Sequence, residues 1–168
     1  PAPSTANTAA LSFAHELGVR YSEGLYKNTF IGRTFIMPGQ DERKKSVKYK
    51  LVPQELEIRD KKVLILDDSI VRGNTSREIV RMLKDFGAKE VYFAVACPPV
   101  KSPCFYGVDM PTKEELIAGN MNENEIENYL NVDALLYQKI DDLVEAVTRK
   151  GDHHIDTPCM ACLDGNYI

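Results

Sequence analysis

Long apolar runs are missing from this sequence. No stretch approaches the ~20 residues that a bilayer span requires, and no signal-peptide pattern is visible. Basic charge is not in excess either. The 21 Lys and Arg against 25 Asp and Glu leave a net charge of −4, which does not favour nucleic acid as a partner. Four cysteines in 168 residues do not suggest a secreted disulfide scaffold. Internal repeats and low-complexity segments are not apparent. There is no Walker A loop, because no Gly-Lys-Ser/Thr follows at the right spacing, and no G-x-G-x-x-G fingerprint. Three histidines, His15, His153 and His154, assemble into no Ser/His/Asp or Cys/His arrangement. What remains is a cytoplasmic chain, long enough for one domain with a real core, with neither a membrane nor nucleic acid among its expected partners.

What is present centres on Val63-Leu64-Ile65-Leu66-Asp67-Asp68-Ser69-Ile70-Val71-Arg72-Gly73-Asn74-Thr75-Ser76. Val63 to Leu66 is short and β-branched, and it reads as a fully buried strand of a parallel sheet. Asp67 and Asp68 follow at its carboxyl end, where open α/β sheets bind their ligands. Adjacent carboxylates on a strand point to opposite sides, so the two do not share one solvated face. Ile79, Met82, Leu83 and Phe86 then form a helical stripe ended by Gly87. Thr75 and Glu78 have the spacing of a capping box, which places the helix start near Thr75. Its first amides point back at the loop and suit a phosphate. Gly73 allows close backbone approach, Ser69, Asn74, Thr75 and Ser76 add donors, and Arg72 adds charge. A carboxylate pair for hydroxyls beside amides for a phosphate makes a ribose phosphate the leading ligand class.

Elsewhere, Ala10, Phe13, Ala14 and Leu17 form a helical stripe ended by Gly18, after a polar turn at Ser4 to Thr8 that is again ready for an anion. Gly32 to Lys50 carries six basic residues, Arg33, Arg43, Lys44, Lys45, Lys48 and Lys50, against Asp41 and Glu42, and can close over an anionic substrate. Val91 to Ala96 reads as the next strand, and Pro98, Pro99 and Pro103 break regular structure after it. Thr112 and Glu115 can cap a short helix through Ala118. Glu123 to Leu130 is a second short helix, Ala134 to Tyr137 a final strand, and Leu143, Val144 and Val147 mark a last helix. Strands alternating with helices give an α/β domain, a parallel sheet flanked by helices. It spans residues 1–150, and a polar tail over 151–168 wraps the surface. That tail holds Cys159-x-x-Cys162, spaced to bite one metal or cluster. Zinc is one reading, with His153 or His154 joining the thiolates. Cys97, at a strand end, reads as a small buried hydrophobe.

Leu66 to Ser76 resembles the phosphoribosyl pyrophosphate (PRPP) motif of type I phosphoribosyltransferases. More narrowly, it is similar to that of the glutamine PRPP amidotransferases, which open de novo purine synthesis. Tyr26-Lys27-Asn28-Thr29-Phe30-Ile31-Gly32-Arg33-Thr34-Phe35-Ile36-Met37-Pro38 resembles that family's flexible active-site loop, and Pro103-Cys104-Phe105-Tyr106-Gly107-Val108-Asp109-Met110-Pro111-Thr112 the segment after its next strand. Cys159-Met160-Ala161-Cys162-Leu163-Asp164-Gly165-Asn166-Tyr167 resembles the tail of its iron–sulfur members, so the resemblance covers nearly the whole chain.

The resemblance implies the type I phosphoribosyltransferase fold, without the central strand that precedes its pyrophosphate loop. It also implies the reaction: ammonia, derived from glutamine, displaces diphosphate from C1 of PRPP to give 5-phosphoribosylamine. Asp67, Asp68, Ser69, Ile70, Val71, Arg72, Gly73, Asn74, Thr75 and Ser76 would bind PRPP, the two carboxylates at the ribose and Ser69 to Ser76 at the 5′-phosphate. Thr5, Asp67 and Asp68 would meet Mg²⁺. Ser4, Thr5, Ala6, Asn7 and Thr8 match the pyrophosphate loop, although the family has Asp, then Ser or Thr, then Gly where this chain has Ser4, Thr5 and Ala6. Lys27 and Arg33 would close the site. Cys104, Cys159 and Cys162 match three ligands of a [4Fe–4S] cluster, and the fourth ligand is missing. The glutaminase domain of that family has no counterpart in these residues, so the resemblance implies the carboxy-terminal part of a larger, homo-oligomeric enzyme, inactive with glutamine on its own. Two other readings stand: a nucleobase phosphoribosyltransferase, and a non-catalytic PRPP-binding regulatory or assembly protein.

Overall fold

A computed structural model describes residues 1–28, 51–108, 112–148 and 157–167. In chain order the elements are α1 (Asn7–Leu17), β1 (Leu25–Lys27), β2 (Leu51–Pro53), α2 (Glu55–Ile58), β3 (Lys62–Asp67), α3 (Asn74–Asp85) and β4 (Glu90–Val95). A 3-10 turn (Lys113–Glu115), α4 (Ile117–Asn120), α5 (Glu123–Leu130), β5 (Ala134–Tyr137), α6 (Ile140–Thr148) and α7 (Ala161–Asp164) follow. The sheet that carries the site is parallel, in the order β3-β4-β5, with Val63 opposite Val91 and Phe93 opposite Leu135. A separate antiparallel pair joins β1 to β2, with Tyr26 opposite Val52. Among the described residues no helix is long and apolar enough to cross a membrane.

Strand periodicity decides where the core sits. Ile65, Val91, Phe93 and Val95 point to one face, where Ile79, Val80 and Leu83 of α3 and Ile126 and Leu130 of α5 bury them. Each such side chain, fully buried, contributes about 1.5–3 kcal/mol. Among the described residues, the opposite face is covered near the carboxyl ends of the strands, where Ala6 and Ala10 of α1 pack on Leu66 and Ala94. Leu64, one step back on that face, remains 40% exposed. The expectation of a fully buried strand therefore holds for Ile65 and Leu66 and fails at Leu64. The reason is one-sided cover. Beyond β4, the neighbour that β3 meets among the described residues is Ala2, whose amide donates to the Leu66 carbonyl at 2.7 Å.

Helix ends follow local chemistry. Gly18 closes α1 in the left-handed region, as its position after the apolar stripe predicts. The capping box expected at Thr75 and Glu78 does not form. Gly73 occupies the cap with φ +77°, and α3 begins at Asn74 with no side-chain cap bond. Thr112 likewise makes no side-chain cap bond. A capping box does form at α5, where Asn122 accepts from the Glu125 amide at 3.0 Å and Glu125 accepts from the Asn122 amide at 2.8 Å. The tail is more deeply set than a surface wrap. Leu163 is buried against Val100 and Leu116, and the Cys162 carbonyl accepts from the Lys101 and Ser102 amides at 2.9 and 3.0 Å.

Candidate functional site

The site lies beyond the carboxyl end of β3, and strand geometry places its carboxylates. Asp67 is the last strand residue and points toward the helix-covered face, half-buried; Asp68, one step on, is exposed. Burial pushes the Asp67 carboxyl up to about 6, and the charge of Asp68 adds to the rise, against the Asp68 amide that donates to Asp67 Oδ1 at 2.9 Å. Ser69 donates its hydroxyl to Asp68 Oδ1 at 3.3 Å, and Ile70 anchors the loop with 2% exposure.

The loop then turns into α3 through Gly73. With no side chain at the cap, the first-turn amides of Asn74, Thr75 and Ser76 receive no cap bond from position 73, and the first helical bond runs from the Arg77 amide to the Gly73 carbonyl at 2.9 Å. An uncapped helix start of this kind presents its donors and its positive dipole end to an anion. Asn74 and Thr75 are exposed, whereas Ser76 is buried at 3% and faces inward.

The Arg72 guanidinium pairs with both oxygens of Glu115, Nε to Oε1 at 3.3 Å and Nη2 to Oε2 at 3.2 Å. That pair is half-exposed, and the backbone amides of the helix start offer further donors beside it. Residues 112–130 hold this loop from behind, a support that sequence reasoning missed. The Ile117 amide donates to the Val71 carbonyl at 2.9 Å, and Tyr129 donates its hydroxyl to Asn74 Oδ1 at 3.2 Å. A Cβ at position 73 would stand 2.6 Å from Ile117 Cδ1, so that methyl would have to shift, and φ +77° itself favours glycine there.

The turn Ser4 to Thr8 arrives at the same end of β3. Ala2 pairs with Leu66, and Ala6, 1% exposed, packs on Leu66 and Ala94, while Ser4, Thr5 and Thr8 are exposed. Ala6 has φ −84°, an ordinary value for any residue, so alanine in place of glycine costs nothing in the backbone. The structure thus brings Ser4, Thr5, Ala6, Asn7 and Thr8 together with Asp67 to Ser76. Lys27 ends β1 and is exposed; Arg33 and the other basic residues of the 32–50 stretch lie outside the described residues.

Two carboxylates without further acidic or imidazole partners suit Mg²⁺. This ion keeps several waters and completes its octahedron with one or two carboxylates and substrate oxygens. Among the described residues no three His, Cys, Asp or Glu side chains stand close enough to hold one ion. Of the residues named for zinc, His153 and His154 lie outside the described residues. Cys104 receives the Tyr106 amide at 3.4 Å, and the amides of Tyr106, Val108 and Gly107 hold its thiol below the usual range. Burial pushes the Cys162 thiol up, and the nearby charges of Cys104 and Cys159 add to it. Cys97 is half-buried, with its thiol pushed up by burial, as expected of a packing residue.

The model for the phosphoribosyl transferase domain matches residues 15–116. An amidophosphoribosyltransferase of Methanocaldococcus jannaschii is 47% identical over 167 residues, covering 99% of this chain and 34% of that protein. One from Pseudomonas aeruginosa is 49% identical, over 100% of this chain and 33% of its own length. A solved glutamine PRPP amidotransferase from B. subtilis, complexed with ADP and GMP, superimposes with a TM-score of 0.84 at 41% identity, over 98% of this chain and 36% of that one. The chain spans about a third of the length of the curated relatives it matches.

Proposed function

The chain belongs to the phosphoribosyl transferase domain family, and from that premise we propose that it is the PRPP-binding part of an amidophosphoribosyltransferase. The reaction is attack of ammonia on C1 of PRPP, giving 5-phosphoribosylamine and diphosphate, within purine synthesis. The observation that carries this reading is the Asp67-Asp68 pair at the end of a parallel strand, followed at once by an uncapped helix start. Asp68, exposed, and Asp67, half-buried, face the ribose hydroxyls and the C1 end. Amides from Gly73 to Ser76 hold the 5′-phosphate. Ser4 to Thr8 meet the diphosphate, and Lys27 with Arg33 close the site. C1 develops positive charge as diphosphate leaves, and a carboxylate in a partly desolvated setting stabilises that charge more than one in water does. Asp67 and Asp68, with Thr5, would hold Mg²⁺, which would supply charge neutralisation for the leaving diphosphate. Diphosphate leaves as an anion, so no protein acid is assigned to it.

Cys104, Cys159 and Cys162 are assigned as three thiolates of a [4Fe–4S] cluster with a structural or oxygen-sensing role. A cytoplasmic, homo-oligomeric enzyme drawing ammonia from a glutaminase domain completes the reading. Calorimetric titration of PRPP with Mg²⁺ tests it. Binding is expected in the wild type and lost in Asp67→Ala or Asp68→Ala; normal binding by both variants refutes the assigned site. Formation of phosphoribosylamine from ammonia tests the transfer itself, and PRPP binding without it favours the regulatory alternative.

A further inference from the structure

The phosphate loop contacts a second part of the chain at nearly every residue from Val71 to Arg77. Val71 offers its carbonyl to Ile117, Arg72 pairs with Glu115, Gly73 lies against Ile117 and Tyr129, and Asn74 accepts from Tyr129. One turn on, the Arg77 guanidinium stacks 4.7 Å from the centre of the Tyr129 ring. All these partners come from residues 115–129, more than forty positions away.

That second part is itself fixed. Leu116 and Ile126 are fully buried and Leu130 is 1% exposed. Asn120 donates its side-chain amide to the carbonyls of Lys113, Glu114 and Leu116 at 3.0, 3.0 and 2.8 Å, which staples the turn that carries Glu115. The α5 capping box sets the helix that carries Tyr129.

An anion site made of backbone amides has no side chain to adjust, so the loop must be held in place before the ligand arrives. We infer that Glu115, Ile117 and Tyr129 are positioning residues that brace the loop for the 5′-phosphate. The inference rests on the reading of that loop as the 5′-phosphate site. None of the three contacts the ligand, and each acts through a loop residue. The brace belongs to one half of the site, because the Ser4 to Thr8 turn is held by β3 and α1.

This asymmetry gives the test. Tyr129→Leu, Tyr129→Phe and Glu115→Gln are titrated in the full chain with ribose 5-phosphate and, separately, with Mg²⁺-diphosphate. Amide hydrogen exchange over residues 72–76 is followed without ligand. Ribose 5-phosphate binding weakens roughly three- to tenfold in Tyr129→Leu, as expected for one lost hydrogen bond and a disturbed stack. Tyr129→Phe, which keeps the ring under Arg77, falls between it and the wild type. Diphosphate binding is unchanged, and the amides of 72–76 exchange faster. Equal weakening of both ligands marks a merely structural effect and overturns the inference, as does unchanged exchange at 72–76 in all three variants. If wild-type chain binds no ribose 5-phosphate, the reading of the site fails, while the exchange measurement still decides the brace. Tyr129→Phe and Glu115→Gln change only polar groups at exposed or half-exposed positions, so they keep the test open if Tyr129→Leu does not fold.

Discussion

Gly73→Ala strains the start of α3 in two ways. Gly73 has φ +77°, where a side chain costs about 1–2 kcal/mol. The new Cβ would also stand 2.6 Å from Ile117 Cδ1 and 3.3 Å from Tyr129 Cε1. Ile117 is 7% exposed, so its terminal methyl has little room to yield, and such overpacking costs about 1–3 kcal/mol. The sum, about 2–5 kcal/mol, corresponds to a fall in Tm of roughly 4–20 °C for a chain of this size. Gly18→Ala is the matched control. Gly18 has φ +65° with nothing within 4 Å of the added carbon, so it carries the strain without the contact. Both changes remove the same unfolded-state freedom, so that contribution cancels in the comparison. Urea unfolding of both variants, with calorimetric titration of ribose 5-phosphate, makes the measurement. Gly73→Ala should be less stable than Gly18→Ala by about 1–3 kcal/mol. It should also bind on the order of tenfold more weakly than the wild type, because the first amides of α3 are displaced from the anion. Equal stability of the two variants together with unimpaired binding by Gly73→Ala would refute the steric account and the loop assignment at once.

Two further outcomes follow from the same geometry. Asp67 is raised from 3.8 to about 6, so its contribution to stability is fully present below the unfolded value and is lost as pH rises through about 6. The difference between wild type and Asp67→Asn in urea midpoint should therefore grow in favour of the variant from pH 4 to pH 7. After discount for partial solvent contact it reaches on the order of 2 kcal/mol, and a pH-independent difference would sink the idea. Leu163→Ala removes a side chain 5% exposed that packs on Val100 and Leu116, at a cost of about 2–4 kcal/mol. Alkylation of Cys159 and Cys162 by iodoacetamide should quicken in that variant, and unchanged labelling would show that Leu163 does not dock the tail.

Local signals were legible where a single element decides them. Glu123–Leu130 and Ala134–Tyr137 appear at the bounds that periodicity predicts, and Gly18 closes α1 where the apolar stripe ends. The carboxylate pair was legible because strand, acids and loop are adjacent in sequence. The failures share one cause. Thr75 and Glu78 have capping-box spacing, but Gly73 in the left-handed region starts the helix one residue earlier and takes the cap. Arg72 pairs through its Nε and Nη2 with Glu115, a partner distant in sequence that nothing in the loop's own sequence announces. Tyr129 sits on a helix with a largely polar sequence, and nothing local announces that it reaches Asn74. Such contacts are tertiary, and no periodicity within one element encodes them. Leu64 is the converse case: an apolar strand residue gives no sign of whether its face will be covered.

The raised carboxyl of Asp67 joins stability to function. Burial, with the neighbouring charge of Asp68, disfavours the ionised form of Asp67. A cation at the pair, whether Mg²⁺ or the positive charge that develops at C1 in the reaction proposed here, offsets both effects. Cation binding is therefore expected to stabilise the fold. The same reasoning explains why the phosphate half is built differently. An anion held by amides needs a loop that is already in place, which is why the glycine turn is braced by Ile117 and Tyr129.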